Sequence, residues 1–171
     1  MQDEFEDIVR RESATVYRLA FSRLRNAADA EDVCQAVFLR LLNADPVFTD
    51  ADHRHAWLLR TTINCCADVR RSAWRRRVHV GESSRSAARQ ALNCQSLRQH
   101  REQMQRDELS ARIDAAMEAL SEKQRTAVHL HYFEGLSGDE IANLTGDRPS
   151  TVRSHLRRAR KTLERLLGDA L

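Results

Sequence analysis

Arginine, lysine and serine recur at short intervals between residues 148 and 161, and side chains of these types can form hydrogen bonds with nucleic acid. A guanidinium group can donate to two acceptors of guanine in the major groove, and a serine hydroxyl can contact a base or a phosphate. At 100° per residue, a helix beginning at Pro149 would place four apolar residues on one face, namely Val152, Leu156, Ala159 and Leu163. Six residues that we expect to contact duplex DNA lie off that face: Ser150, Arg153, Ser154, Arg157, Arg158 and Lys161. We expect Arg148, which immediately precedes the helix, to contact DNA as well.

The residues before this basic segment have the pattern of a helix-turn-helix. Ser137 and Glu140 have the spacing of a capping box, which marks a helix start, and Gly146 has the conformational freedom that a helix end requires. Pro149 suits the first turn of the next helix, where its missing N–H is not needed. Although a single basic helix is often merely solvated, this order of elements favours a second helix that enters the major groove of DNA.

A second basic block lies far away in the sequence. Residues 53–80 contain seven Arg and one acid, a net charge of +6, whereas residues 1–52 contain six Arg and eleven acids, a net charge of −5. The same alternation returns near the C-terminus, with −3 over residues 109–146 and +4 over residues 147–171. Any one charged stretch can be a solvated helical face, but two basic blocks that each follow an acidic block indicate two separate contacts with a polyanion.

Few turn-forming residues interrupt the chain, since its 171 residues include only five Gly and two Pro. Apolar residues instead recur at helical spacing, which predicts an all-α protein. Residues 1–77 read as one helical unit, whose third helix runs from near Asp52 to near Arg77, and residues 109–171 read as a second unit. Residues 78–108 hold few apolar residues and many Ser, Gln and Arg, so we expect a flexible linker there. The predicted fold is therefore two small helical domains joined by a linker.

Several classes of function find no support in the sequence. There is no apolar run of about 20 residues that could span a bilayer, and the acidic start lacks the charge of a signal peptide, so we expect a cytoplasmic protein without membrane insertion. The four Cys form no CxxC pair, and we interpret them as buried thiols. The His53/His55 and His129/His131 pairs have poor spacing for a metal site on a helix. Neither a Gly-rich phosphate loop nor a catalytic grouping is present, so we expect no metal, no cofactor and no enzymatic activity.

Taken together, these segments resemble the extracytoplasmic-function (ECF) group of the sigma-70 family, the sigma factors of bacterial RNA polymerase. Residues 17–20, 28–40 and 56–64 are similar to region 2 of that family, and residues 135–160 are similar to region 4. The resemblance covers almost the whole chain apart from residues 78–108. It implies a promoter-specificity subunit that directs transcription initiation, binding duplex DNA at the −35 element and melted DNA at the −10 element.

The resemblance also implies partners and residues for region 2. Binding to core RNA polymerase, on the clamp of the β′ subunit, is implied for one segment of the acidic block: Asp29, Glu31, Asp32, Gln35 and Phe38. Binding of the melted −10 strand is implied for a second group: Trp57, Arg60, Thr61, Asn64, Arg70, Arg71 and Arg75. Phe38 and Val37 can instead be ordinary core residues, and we expect at least one of them to be so. Trp57 can equally be a core anchor or a stacking surface, whereas Asn64 is an amide on a mostly apolar helix and should need a partner.

For region 4, the resemblance implies that the basic helix reads the −35 element and that the flap of the polymerase β subunit is a further partner. An anti-sigma factor is common in the family, so the resemblance allows one here. Thr145 and Asp147 stand at turn positions where the family is usually apolar, so either the turn packs less tightly here or Asp147 helps to cap the next helix. A rival interpretation is a helix-turn-helix regulator that binds an operator without replacing the sigma subunit. This interpretation does not explain the basic block at residues 53–80.

Overall fold

The computed structural model of the protein describes residues 2–44, 46–78 and 108–168. Every regular element in these residues is a helix, and the seven helices are α1 (Gln2–Leu24), α2 (Ala27–Ala44), α3 (Ala51–Val78), α4 (Glu108–Glu118), α5 (Glu122–Tyr132), α6 (Gly138–Thr145) and α7 (Pro149–Leu167). The prediction of an all-α fold is therefore confirmed. The linker expected over residues 78–108 falls outside the described residues, apart from its two end positions. None of the described helices is both long and apolar enough to cross a membrane.

The chain divides into two compact units, residues 1–99 and residues 100–171. In the first unit α1, α2 and α3 all contact one another, so the three helices form a bundle around a shared core. The buried residues of that core are aliphatic, aromatic or sulfur-containing: Val16, Tyr17, Ala20, Ala30, Val33, Cys34, Val37, Phe38, Leu41, Leu58, Cys65 and Cys66. Removing this apolar surface from water supplies the main favourable free energy of the bundle.

Short polar junctions set where the helices of the first unit begin and end. Arg25 follows α1 in the left-handed conformation, with a φ of +52°. The Asn26 side chain then accepts a bond of 3.0 Å from the Asp29 backbone N–H and caps α2. Asp50 caps α3 in the same way, because its carboxylate accepts from the His53 backbone N–H at 2.7 Å. This bond lowers the pKa of the Asp50 carboxyl, so the cap is ionised at neutral pH.

Three cysteines lie in the described residues, and all three are buried in the first unit. Cys34 and Cys66 are at most 1% exposed, Cys65 is 3% exposed, and none of these thiols is in a disulfide. Burial raises the pKa of the Cys66 thiol to about 12 and also raises the pKa of Cys65. The interpretation as buried thiols is confirmed for these three residues, whereas Cys94 lies outside the described part of the chain.

In the second unit, α7 contacts α4, α5 and α6 and is therefore the central helix of the domain. The small core combines residues from several segments: Met117, Leu120, Val128 and Ala159. The predicted apolar stripe of α7 is confirmed, because its four residues are either buried or packed against this core. The opposite faces of α7 are consequently left to the polar residues.

Capping interactions fix both ends of α6. Ser137 accepts a bond from the Glu140 backbone N–H, while the Glu140 carboxylate accepts from the Ser137 backbone N–H at 2.8 Å, which is the predicted capping box. Gly146 ends the helix with a φ of +74°, and its N–H donates to the Ala142 carbonyl at 2.9 Å. Glycine adopts this conformation without steric cost. The chain turns so sharply here that α7 begins after only two further residues.

Candidate nucleic-acid interface

An open cleft lies between the C-terminal end of α2 and the middle of α3 in the first unit. It has a volume of about 400 Å³ and is lined by residues from both helices: Arg40, Asn43, Ala44, Trp57, Thr61 and Asn64. The three lining residues of α3 are four and three positions apart, so they follow one face of that helix. The cleft thus combines an indole ring with two amides, a hydroxyl and a guanidinium, groups that can stack on a nucleotide base and bind its polar edge.

Trp57 is both a packing residue and a lining residue. Its side chain packs against the core of the first unit, and its ring meets the Phe48 ring edge to face, with centroids 5.9 Å apart. Phe48 in turn meets the His53 ring at 5.6 Å. The two interpretations left open for Trp57, a core anchor and a stacking surface, are therefore compatible, because the half-buried ring is packed on one side and borders the cleft on another.

The other residues expected at the −10 element differ in their placement. Thr61 is 8% exposed, whereas Asn64 is exposed, so its amide is open to a ligand. The arginines of α3 that are exposed but do not line the cleft are Arg60, Arg70 and Arg71. Arg75 belongs to α3, but its side chain lies outside the described ones. The fold therefore brings three of the seven expected residues together in the cleft, namely Trp57, Thr61 and Asn64.

Two polar lining residues, Arg40 and Asn43, were not among the expected nucleic-acid contacts. Arg40 is the only basic residue of α2, a helix that otherwise carries acids. An isolated arginine in an acidic helix, followed three residues later by an amide, was the available signal in the sequence. Its connection to the cleft depends on the packing of α2 against α3, which local spacing does not reveal.

In the second unit, the basic residues of α7 face solvent. Most of the residues expected to contact DNA are exposed: Arg148, Ser150, Arg153, Arg157, Arg158 and Lys161. Ser154 is partly buried, and its hydroxyl donates to the Ser150 carbonyl at 2.9 Å. Because this bond engages the only donor of the hydroxyl, Ser154 is left as an acceptor for a base amino group. The first acid along the helix is Glu164, which binds Arg160 at 2.8 Å near the C-terminal end.

The cap suggested for Asp147 is wrong. Arg148 is the N-cap residue of α7 and makes no side-chain capping bond, whereas the Asp147 carboxylate accepts from the Lys123 ammonium of α5 at 2.7 Å. Thr145 is half-buried, and its hydroxyl donates to the Ile141 carbonyl at 2.8 Å. The Thr145 hydroxyl also accepts from the Asp147 backbone N–H at 3.4 Å, so two hydrogen bonds of Thr145 and one ion pair to α5 hold the polar turn.

Arg153 lies where α6 and α7 approach each other. A Cβ added to Gly138 would lie 3.8 Å from the Arg153 Cγ, so the backbone of α6 lies beside the stem of this side chain. The Arg153 Nη1 is 3.9 Å from the Asp139 Oδ1, and the two side chains are 66% and 77% exposed. Exposed ion pairs of this kind contribute little to stability. The guanidinium can therefore exchange this carboxylate for DNA at small cost.

The acidic surface of the first unit includes one side of α2. Four of its residues expected to bind polymerase are partly exposed: Asp29, Glu31, Asp32 and Gln35. Phe38 is instead 2% exposed and packs in the core with residues of all three helices. The interpretation of Phe38 as a surface contact is therefore corrected to that of a core residue, because its side chain is not accessible to a partner in this conformation.

His155 lies on α7 among the DNA-facing residues, and both of its ring nitrogens are shielded from solvent without a hydrogen-bond partner in the described residues. Burial lowers the pKa of this imidazole below its ordinary 6.5; Asp147 opposes the shift, whereas the positive charges of Arg158 and Lys123 add to it. Because the unfolded chain then binds the proton more readily than the folded unit, the second unit should lose stability as the pH falls below about 6.5.

Replacing His155 with phenylalanine removes this titrating group and retains a ring of similar shape. We expect the free energy of unfolding of His155→Phe to change less between about pH 7.5 and about pH 5 than that of the wild type. Denaturant unfolding of both proteins at the two pH values measures these free energies. The other histidines are the same in both proteins, so their contributions cancel when the two pH dependences are compared. An identical pH dependence in the two proteins would show that His155 contributes nothing to it.

Each of the two units matches the model of a known protein family. Residues 8–76 match the family model described as sigma-70 region 2, and residues 110–163 match the one described as sigma-70, region 4. The first match contains the cleft between α2 and α3, and the second contains the helix-turn-helix. The two units therefore define a sigma-70-type protein.

Individual relatives show which group of the sigma-70 family the chain resembles in sequence. The chain is 32% identical to the ECF RNA polymerase sigma factor SigL of Mycobacterium tuberculosis, over 92% of this chain and 85% of that relative. It is also 32% identical to the ECF RNA polymerase sigma factor SigE of Mycolicibacterium smegmatis over 96% of its own length, although it spans only 62% of SigE. The chain belongs to the ECF group of the sigma-70 family.

A solved structure has the same fold. The sigma factor RpoE from Bartonella quintana, in complex with the anti-sigma factor NepR, is similar with a TM-score of 0.66 and 20% sequence identity. The similarity covers 97% of this chain and 98% of that chain. At this identity the likeness establishes the fold, and the chemistry of the two surfaces depends on the residues of this chain.

Proposed function

We propose that this protein is a sigma factor that joins core RNA polymerase and directs transcription initiation at one class of promoters. The observation that carries the proposal is that each compact unit presents a surface suited to DNA, a polar cleft in the first and a basic helix in the second. The order of the two matched regions supports the same assignment. As functional boundaries we propose residues 1–77 for polymerase and −10 binding, 78–108 for a linker, and 109–171 for −35 binding.

In the first unit, the cleft takes up an unstacked base of the melted −10 strand. Trp57 offers ring surface for stacking, while Thr61 and Asn64 offer hydrogen bonds to the base edge. Unstacking a base has a free-energy cost, which these contacts offset. The phosphates of the strand are bound by three arginines of α3, namely Arg60, Arg70 and Arg75. Arg71, whose guanidinium is paired with Asp68, adds positive charge beside them.

In the second unit, the first turns of α7 enter the major groove of the −35 element. Arg153 donates to base acceptors, and the other basic residues of the exposed face bind bases or phosphates. Each contact alone is weak. When polymerase holds the whole chain, binding of one element raises the effective concentration of the other surface at its own element.

The partners follow from the same assignment. The partly exposed residues of α2, Asp29, Glu31, Asp32 and Gln35, bind a basic surface on the clamp of the β′ subunit, where complementary charge favours association. The second unit binds the flap of the β subunit. An anti-sigma factor is a further partner, in keeping with the solved complex of the similarly folded RpoE with NepR. The protein acts in the cytoplasm and has no catalytic activity of its own, since polymerase performs the chemistry.

Transcription by core polymerase with and without the purified full-length chain tests the proposal. On a library of fragments of the source genome, we expect the chain to create start sites that share two upstream elements, which core polymerase alone does not use. An operator-binding regulator would bind DNA but create no such start sites. That alternative is not favoured, because the sigma-70 matches include the first unit as well as the helix-turn-helix.

Replacing Asn64 with alanine should affect melting more than initial binding. The cleft takes up a base only after the strands separate, so loss of one amide hydrogen bond should lower open-complex formation by up to about tenfold, corresponding to about 0.5–1.5 kcal/mol. Permanganate reactivity of the −10 region measures melting, and filter binding at low temperature measures the closed complex. Ser72→Ala is a matched control, because Ser72 is exposed on the same helix but does not line the cleft. Equal loss at both steps would argue against a −10 role.

A further inference from the structure

Arg40 occupies the α2 side of the cleft, opposite the lining residues of α3. Its side chain is half exposed. Arg40 lies in the segment that resembles region 2, but the resemblance implies no contact for it. We propose that Arg40 reads the base that enters the cleft and that Asp68 is the residue that positions it. This inference rests on the proposed function, since it names a residue that would decide which base the cleft accepts.

Asp68 connects Arg40 to α3. The Arg40 Nη2 donates to the Asp68 Oδ2 at 3.3 Å across the two helices. Asp68 follows Asn64 by one helical turn, so it lies on the same face of α3 as the lining residues. The guanidinium of Arg40 is therefore held against the face of α3 from which Asn64 borders the cleft.

The Asp68 carboxylate is itself fixed by a second arginine. Arg71, one turn further along α3, donates to the Asp68 Oδ1, while Arg40 donates to the Oδ2. The bond from Arg71 is the main reason that the pKa of the Asp68 carboxyl is lowered, and the bond from Arg40 adds to this effect. An ionised carboxylate that engages both arginines favours this orientation of the Arg40 guanidinium, although solvent-exposed ion pairs of this kind contribute little to stability.

This arrangement suits a base better than a phosphate. The negative charge of Asp68 offsets the charge of Arg40 and would repel a nearby phosphate, whereas the remaining N–H groups of the guanidinium keep their direction. A planar guanidinium matches a base that has two neighbouring acceptor atoms, such as N7 and O6 of guanine. The amides of Asn43 and Asn64 border the same space and can bind other atoms of the base edge.

Selection of single-stranded DNA by the assembled holoenzyme tests this role. Core polymerase carrying the full-length chain is incubated with short single-stranded oligonucleotides of random sequence, and the bound fraction is sequenced. We expect the wild type to enrich one base at one position and Arg40→Ala to reduce that preference by about 5- to 150-fold. Arg40→Lys should lose most of the same preference, because lysine keeps the charge but not the planar fork.

A variant of Asp68 and a matched control at another arginine complete the test. Asp68→Asn should weaken the base preference less than Arg40→Ala does, without reducing binding to the other sequences. Arg11→Ala should change neither, because Arg11 is an exposed arginine paired with Asp7 at 3.5 Å on α1 and does not line the cleft. Thermal unfolding of each variant shows whether the first unit is intact, and Arg40→Lys is the variant least able to disturb it.

Three results would overturn the inference. If Arg40→Ala weakened binding to all sequences equally and reduced the salt slope of binding by about 0.7, Arg40 would be a phosphate contact. If Asp68→Asn left the base preference unchanged, Asp68 would not position Arg40. If the wild-type holoenzyme preferred no base at any position, the proposed −10 function would fail along with this inference, whereas failure of the Arg40 variants alone leaves that function intact.

Discussion

Replacing Phe38 with alanine is expected to destabilise the first unit by about 3–5 kcal/mol, because deleting a buried aromatic ring removes apolar contacts and leaves a cavity. Phe38 is 2% exposed and packs in the core of the three-helix bundle. A loss of this size is a large part of the total stability of a small domain. Denaturant unfolding followed by tryptophan fluorescence measures it selectively, since both tryptophans, Trp57 and Trp74, belong to the first unit.

Two further variants separate a core role from a contact with polymerase. Phe38→Leu retains more of the side-chain volume than alanine does, so it should cost less than Phe38→Ala and leave polymerase binding unchanged. Asp32→Asn, on the same helix, should leave stability unchanged but slow association with core polymerase and reduce its salt dependence. Should Phe38→Ala unfold at the wild-type denaturant concentration and yet fail to bind polymerase, the assignment of Phe38 to the core would be wrong.

Arg153→Ala is expected to weaken binding of the holoenzyme to −35 DNA by about 1–3 kcal/mol, or roughly 5- to 150-fold, if the guanidinium reads a base. Its stem lies beside α6 at Gly138, and its exposed pair with Asp139 offers little resistance to exchange with DNA. The second unit should stay folded, because an exposed arginine contributes little to stability. Quantitative footprinting on a promoter and on the same promoter with a substituted −35 element measures the effect.

Arg165→Ala is the matched control for this prediction. Arg165 is exposed on the same helix but lies twelve residues after Arg153, a distance of about 18 Å along the axis. We expect it to reduce −35 protection much less than Arg153→Ala does. Unchanged −35 protection in Arg153→Ala would refute the role of Arg153, and an equal loss on both promoters would make it a phosphate contact rather than a base contact.

The helix-turn-helix could be predicted almost completely from the sequence, because the signals that define it are local. The capping box of Ser137 and Glu140, the positive φ of Gly146 and the apolar stripe of α7 each depend on residues within a few turns of one another. The suggested cap at Asp147 was wrong because the partner of this carboxylate is not local in the sequence. Asp147 accepts from Lys123 of α5 at 2.7 Å and therefore does not cap α7.

The cleft could be predicted only in part. Its α3 side was available from the spacing of Trp57, Thr61 and Asn64, but its α2 side depends on how two helices pack. Arg40 was therefore not predicted to line the cleft, although it is the only basic residue of α2. For Phe38 the sequence left a partner contact and a core position open, because a family resemblance assigns a segment to a partner without saying which side chains point inward. Whether the other expected contacts bind DNA or polymerase remains a prediction for the experiments above.

The buried thiols of the first unit have a practical consequence. An alkylating reagent attacks the thiolate, and the bundle both covers Cys65 and Cys66 and raises their pKa values. Modification must therefore await transient separation of the helices, so its rate reports how often the bundle opens. Mass spectrometry of the chain alone, with polymerase and on a promoter would then compare opening in the three states at residues already present in the natural sequence.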